Sequence, residues 1–233
     1  MNDGERYRRG VALLRRVGGP DFDAPLKALA DVAPDLVRFA VEFGYGDIMS
    51  RPDLDLRTRQ LATVAALAAM GNAEPQLRYH IDGALNVECV PAHVVETILL
   101  ADRYAGSGAA TSALRTAQEV FAQRGLKFPI DAGTALHHAA DENALSPRLD
   151  PRTRAIVTVA LLTALGRQAD LRSHVGAALD AGAARAEVVE AIQQMALYAG
   201  FPAALNGIAA ARAVLVARTP ASIADRPGEQ STG

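Results

Sequence analysis

The hexapeptide LDLRTR at 54–59 returns as LDPRTR at 149–154, five of six letters the same, 95 positions later in a chain of 233 residues. With a one-residue change of offset, LRYHIDGALNVECVPAHVVETILLADRYAG (77–106) then lies over LRSHVGAALDAGAARAEVVEAIQQMALYAG (171–200), thirteen of thirty positions identical. Identity spread over several elements in one order marks a duplication, so the two halves must share a fold.

Each copy reads as the same run of helices. Asp55 and Asp150 stand where an N-cap is wanted, ahead of TRQLATVAALAAM and TRAIVTVALLTAL, which are apolar almost all round and should be buried. Gly71 and Gly166 stop them. The next helix carries Leu77, His80, Ala84 and Leu85, matched by Leu171, His174, Ala178 and Leu179, at the spacing of one face. A further helix starts near Pro91 or Ala186 and ends at Gly106 or Gly200. Pro202 then opens a last helix in the second copy. Two more helices, at about 5–17 and 24–45, belong to the first copy alone. Half the residues are apolar, aromatics are 5% and Trp is absent, a bias that suits closely packed helices rather than strands. The expected fold is all-α: a first repeat with its N-terminal helices over 1–125, a second over 126–218, and a disordered tail over 219–233.

With 24 basic and 26 acidic residues and no long run of one sign, no nucleic-acid footprint is visible. No apolar run reaches the ~20 residues of a membrane span, and the charged N-terminus does not read as a signal peptide. Cys89, the single cysteine, can form neither an internal disulfide nor a CxxC pair and reads as a small buried hydrophobe. These features predict a cytoplasmic protein with neither membrane nor nucleic acid as a partner.

Asp170 and His174 stand four apart, on one helical face. A carboxylate beside an imidazole orients the ring and gives a group able to move protons near neutral pH, whereas the same spacing on a surface is a weak ion pair. The first copy keeps His80 but has Gln76 in place of the aspartate. Arg57 and Arg59, matched by Arg152 and Arg154, can clamp a carboxylate or solvate a helix end. Glu96 and Glu190 recur inside otherwise apolar helices, where a carboxylate needs a partner; an Arg–Glu bridge between helices and a site role are both open. His137 and His138 are adjacent, hence about 100° apart on a helix, a poor metal pair; no metal site is expected. The chain also lacks HExxH, a phosphate loop and GxSxG.

The first copy, GDIMSRPDLDLRTRQLATVAALAAMGN followed by LRYHIDGAL, resembles the carboxymuconolactone decarboxylase family, with the family's Gly-Asp-Ile…Arg-Pro signature on Gly46, Asp47, Ile48, Arg51 and Pro52. The second copy resembles the family core more closely. It carries the YxGxPAAxNA segment as Tyr198, Gly200, Pro202, Ala203, Ala204 and Asn206, where the first copy has Gly108 for the proline and Ser112 for the asparagine. His138 falls where the family has a histidine ahead of GDI; the first copy has Phe43 there. Relatives in the alkyl hydroperoxidase D branch use a CxxC before the helix histidine. The matching positions here are Ala73 and Gln76, Arg167 and Asp170, so a peroxidase role is not expected.

The resemblance implies cofactor-free decarboxylation of a carboxylated γ-lactone, as in aromatic catabolism. Arg152 or Arg154 would hold the carboxylate, His174 move the proton, Asp170 orient it and Glu190 support them. His80, Arg57, Arg59, Glu96, His138, Tyr198, Pro202 and Asn206 would line substrate sites shared between the copies. A repurposed isomerase, dehydratase, lactonase or cyclase, and a non-catalytic helical assembly, are the alternatives. The expected partner is a small lactone or carbonyl acid. Because single-copy relatives form rings of dimers, the fused chain is expected to be a homotrimer of pseudo-dimers.

Overall fold

The computed structural model describes residues 3–128 and 149–218. His137, His138 and the expected tail over 219–233 lie outside them.

The repeat governs the architecture. The Asp55 and Asp150 carboxylates accept from the backbone N–H of Thr58 (3.0 Å) and Thr153 (2.9 Å), capping α4 (Leu56–Met70) and α8 (Pro151–Ala164). Each cap satisfies an otherwise orphaned donor and contributes about 1 kcal/mol. At the far ends Gly71 and Gly166 take φ of +68° and +66°, the left-handed turn that releases the chain from the helix. Then follow α5 (Glu74–Asn86), α6 (Pro91–Ala105) and α7 (Ser107–Gln123) in the first copy. The second copy repeats them as α9 (Gln168–Asp180), α10 (Arg185–Gln194) with a 3-10 turn Met195–Leu197, and α11 (Gly200–Ala217). Among the described residues there is no strand, and the fold is all-α.

The two capped helices lie at the centre, α4 packed on α8, each buried nearly all round. One apolar core crosses both copies, joining Val64, Leu67, Ile81 and Ile98 to Ile156, Leu161, Val175 and Ile192. The halves therefore hide apolar surface in each other, the dominant source of stability, and residues on the facing helices of both come within reach of one centre.

The N-terminal segment departs from the single helix expected over 24–45. After α1 (Asp3–Gly18) it breaks into α2 (Ala24–Lys27), α3 (Pro34–Phe39) and a π-helix, Ala40–Met49. Pro34 sets where α3 begins, since Ala33 ahead of it lies outside the helical region at φ −137° and ψ 62°; α2 has already ended at Lys27. α1 lies on the π-helix so closely that a Cβ on Gly10 would stand 2.1 Å from the Val41 carbonyl oxygen.

The last helix, α11, starts at Gly200, two residues ahead of Pro202, and runs to Ala217. It is the one described helix with the length and composition to cross a membrane. Its small residues Ala204, Gly207 and Ala211, with Leu215, are its buried ones, and it packs mainly on α9. Phe201 and Leu205 stand exposed, Phe201 stacked on Phe43 at 5.7 Å between ring centres.

Candidate active site

Each helix histidine meets a tyrosine from the other copy. Tyr104, at the end of α6, brings its hydroxyl 2.9 Å from His174 Nε2 on α9, the rings edge to face at 5.6 Å. Tyr198, at the matching position of the second copy, meets His80 edge to face at 5.6 Å. The tyrosine recurs in the "YAG" of both repeats. That was the available sequence signal for Tyr104, which a reading confined to one copy misses.

The two centres differ in what surrounds them. His80 is 5% exposed, and its Nδ1 lies 2.9 Å from the amide oxygen of Gln60. An amide oxygen only accepts, so Nδ1 carries the proton and Nε2 the lone pair. Burial holds the His80 pKa down to about 4, so the ring is neutral at pH 7. Tyr198 is pushed up to about 12 and Tyr45 well above the usual tyrosine value, chiefly by burial in both cases. Tyr79 packs edge to face on His80 at 5.4 Å. Gln60 Nε2 is buried with no partner among the described residues. In the second copy Ala155 stands for Gln60 and Ser173 for Tyr79.

His174 sits nearer to water, half-buried. Burial lowers its pKa, the Arg103 guanidinium lowers it further, and Asp170 opposes both. Asp170 itself pairs with Arg167 (2.7 Å). It therefore acts on His174 through its charge, while the Tyr104 hydroxyl makes the contact with the ring. Arg167 also donates to the Tyr104 carbonyl (2.9 Å), and Arg103 and Arg167 each stand 5.9 Å from the Tyr104 ring centre. Sequence reasoning did not single out Arg103, because it falls in a stretch where the copies differ.

The recurring arginines and glutamates bridge the copies. Arg59, wholly buried, reaches Glu190 at 2.8 Å and Gln194 at 3.2 Å, and the other Glu190 oxygen takes Arg51 at 2.6 Å. Gln194 continues to Thr63, whose hydroxyl lies 3.1 Å from that of Tyr198. The pseudo-equivalent pair is Arg154 with Glu96, where Glu96 also accepts from the Leu149 N–H at 2.7 Å. Glu190 thus joins the first-copy histidine's surroundings. Arg57 turns outward to Glu88 and the Val87 carbonyl, and Arg152 faces Glu187 at 3.1 Å. The two arginines of each motif therefore do not converge on one anion. Pro202 and Asn206 are both exposed at the start of α11, and His138 lies outside the described residues. Cys89 is buried, its thiol pushed up to about 12 by burial, and so is no nucleophile.

The sequence model of the carboxymuconolactone decarboxylase family matches this chain twice, over 34–119 and 132–213. The 4-carboxymuconolactone decarboxylase of Acinetobacter baylyi is 35% identical over 127 residues, which is 54% of this chain and 94% of that protein. An uncharacterized 15.0 kDa protein of Paracoccus denitrificans is 32% identical over 99 residues, 42% of this chain and 74% of that one. The chain belongs to the carboxymuconolactone decarboxylase family and carries the family unit twice in tandem.

Proposed function

We propose that the chain is a cofactor-free carboxy-lyase acting on a carboxylated γ-lactone of aromatic catabolism, with its chemistry at the His174 centre. The single observation that carries this is the 2.9 Å contact of His174 Nε2 with Tyr104 in a half-buried setting flanked by Arg103 and Arg167. Loss of CO₂ leaves an electron pair that the lactone carbonyl takes up as a dienolate, and one proton must then reach carbon. Arg103, with Arg167 beside it, holds the substrate carboxylate as a guanidinium fork can. Arg152 and Arg154 are less suited than the sequence suggested, because each already faces a glutamate. His174 as imidazolium delivers the proton. Its depressed pKa makes that form a stronger acid, and Tyr104 fixes the ring. Asp170 sustains the charged form.

The A. baylyi relative, aligned over nearly its whole length, supports this substrate class. Incubating the purified chain with 4-carboxymuconolactone and following CO₂ release tests the reading. Release that is lost in His174→Ala supports it, and an unchanged rate in that variant removes His174 from the mechanism. A cytoplasmic homotrimer of pseudo-dimeric chains goes with this reading. Exposed Leu36, Phe39, Phe201 and Leu205 supply apolar surface for assembly, and light scattering that finds a monomer would remove the trimer.

A further inference from the structure

Tyr104 and His174 stand on helices that pack mainly on other elements, α6 on α4 and α7, α9 on α8 and α11. Side chains make the join between the end of α6 and the start of α9. Arg167, the N-cap residue of α9, reaches across it. Its Nη1 donates to the Tyr104 carbonyl (2.9 Å), and its guanidinium stands 5.9 Å from the Tyr104 ring centre. Its Nε donates to Asp170 (2.7 Å).

Each contact has a local reason. The Tyr104 carbonyl lies in the last turn of α6, where a helix leaves its carbonyls without intrahelical donors and its dipole favours a cation. Asp170 lies in the first turn of α9, where a carboxylate is favoured, and three residues from Arg167 it is within reach. The two side chains are 46% and 41% exposed, so as an ion pair they are screened and contribute little. What a guanidinium adds is a planar fork that engages two groups at once in fixed geometry, which an ammonium does not.

The copies hold their tyrosines by different means. Tyr198 is fixed from inside, by burial and by the Thr63 hydroxyl at 3.1 Å. Thr158, at the position of Thr63 in the second copy, donates to the Arg154 carbonyl, and Tyr104 is half-buried. Arg167 supplies from outside what burial supplies to Tyr198. Its counterpart in the first copy, Ala73, has no side chain that could do so.

We propose that Arg167 is a positioning residue of the His174 centre: by tying the end of α6 to the start of α9 it holds Tyr104 against His174, and by engaging Asp170 it limits how strongly that carboxylate acts on the ring. As a statement about rate this rests on the reaction proposed above; as a statement about geometry it does not.

Among the described residues the charges that shift His174 are Arg103, on α6, and Asp170, on its own helix; α8 and α11 bring no other. A double-mutant cycle of Arg167→Gln with Tyr104→Phe tests the proposal, read by kcat on 4-carboxymuconolactone and by NMR titration of the His174 ring. Arg167→Gln is expected to lower kcat about tenfold, as Tyr104→Phe does, and the double variant to be no slower than either, because residues acting through one contact are not additive. A general loosening of the helix end would instead add its cost to that of Tyr104→Phe. With its partner gone, Asp170 acts more strongly on the ring, so the His174 pKa rises and the falling limb of kcat/KM moves to higher pH. Arg167→Lys should bring the limb back, since the charge returns, without restoring kcat, since the fork does not. The titration needs no turnover, so a wild type that releases no CO₂ would remove the reaction while the ring still decides the positioning. The proposal is overturned if Arg167→Gln leaves the His174 resonances and pKa as in the wild type, or if the rate losses of Arg167→Gln and Tyr104→Phe multiply in the double variant.

Discussion

Tyr104 Oη lies 2.9 Å from His174 Nε2, and the two residues come from different copies of one repeated unit. Duplication placed a tyrosine and a histidine at matching points of each copy, and packing α4 on α8 exchanged them, so that each imidazole meets the other copy's ring. If His174 delivers the proton, its replacement by Ala lowers kcat at least ~10²-fold, the usual contribution of a positioned general acid. Tyr104→Phe, which keeps the ring and removes the hydroxyl, is expected to cost less, about tenfold. Steady-state rates on 4-carboxymuconolactone check both, and a Tyr104→Phe enzyme as slow as His174→Ala would give the hydroxyl the larger role.

The charges around His174 set the sign of its pH dependence. With the imidazolium as the acid, kcat/KM falls as pH rises through the His174 pKa, which lies below the usual histidine value. Asp170 raises that pKa, so Asp170→Asn moves the falling limb to lower pH. Arg103 depresses it, so Arg103→Gln moves the limb to higher pH. Opposite displacements in the two profiles are the expected result, and displacement in one direction by both variants would contradict the assignment.

His80 gives a stability prediction. Its folded pKa of about 4 lies below the unfolded 6.5, so the unfolded chain binds the extra proton first as pH falls. The stabilisation from keeping His80 neutral is complete above pH 6.5 and is lost between there and pH 4, about 3 kcal/mol in all. Urea unfolding at a series of pH values should show this loss in the wild type and a flatter dependence in His80→Gln. Equal slopes in the two would mean that some other group carries the effect.

The repeat, the caps at Asp55 and Asp150, the stops at Gly71 and Gly166 and the burial of α4 and α8 were all legible, because each follows from local chemistry and a period. The single helix expected over 24–45 failed at Pro34, whose restriction of Ala33 is also local chemistry and so was legible. The site was harder to read because its partners lie far apart in sequence. Asp170 and His174 are neighbours on one helix and so stood out, yet the side chain touching His174 is seventy positions away. Gln60 and Gln194 repeat nowhere, so a search for recurring residues passes over them. They are polar groups inside apolar helices, and that mismatch was their only signal.

The two cross-copy ion pairs should differ in what they contribute. Arg59 and Glu190 are 0% and 2% exposed; without Arg59 the buried Glu190 keeps only Arg51, and the Leu54 and Arg51 carbonyls and the Gln194 amide oxygen lose a buried donor. Arg59→Met is expected to cost about 3–5 kcal/mol. The Arg154 side chain is 38% exposed, so water can take over part of its role beside Glu96, which keeps the Leu149 N–H. Arg154→Met should then cost roughly 1–2 kcal/mol. Denaturant midpoints at matched m-values measure the difference, and equal costs would show that the first pair is as open to solvent as the second.

Two glycines near the α1 contact separate close packing from mere backbone freedom. A Cβ on Gly10 would stand 2.1 Å from the Val41 carbonyl oxygen, a backbone atom that cannot swing aside as a side chain can, so α1 must move off the π-helix. At Gly44, in the same π-helix, a Cβ meets nothing within 4 Å among the described residues. Gly10→Ala is therefore expected to destabilise by about 2–3 kcal/mol through overpacking. Gly44→Ala should be neutral or add up to about 1 kcal/mol by restricting the unfolded chain. Thermal unfolding of the two variants side by side checks this, and a Gly10→Ala protein as stable as Gly44→Ala would show that α1 does not need its close approach to the π-helix.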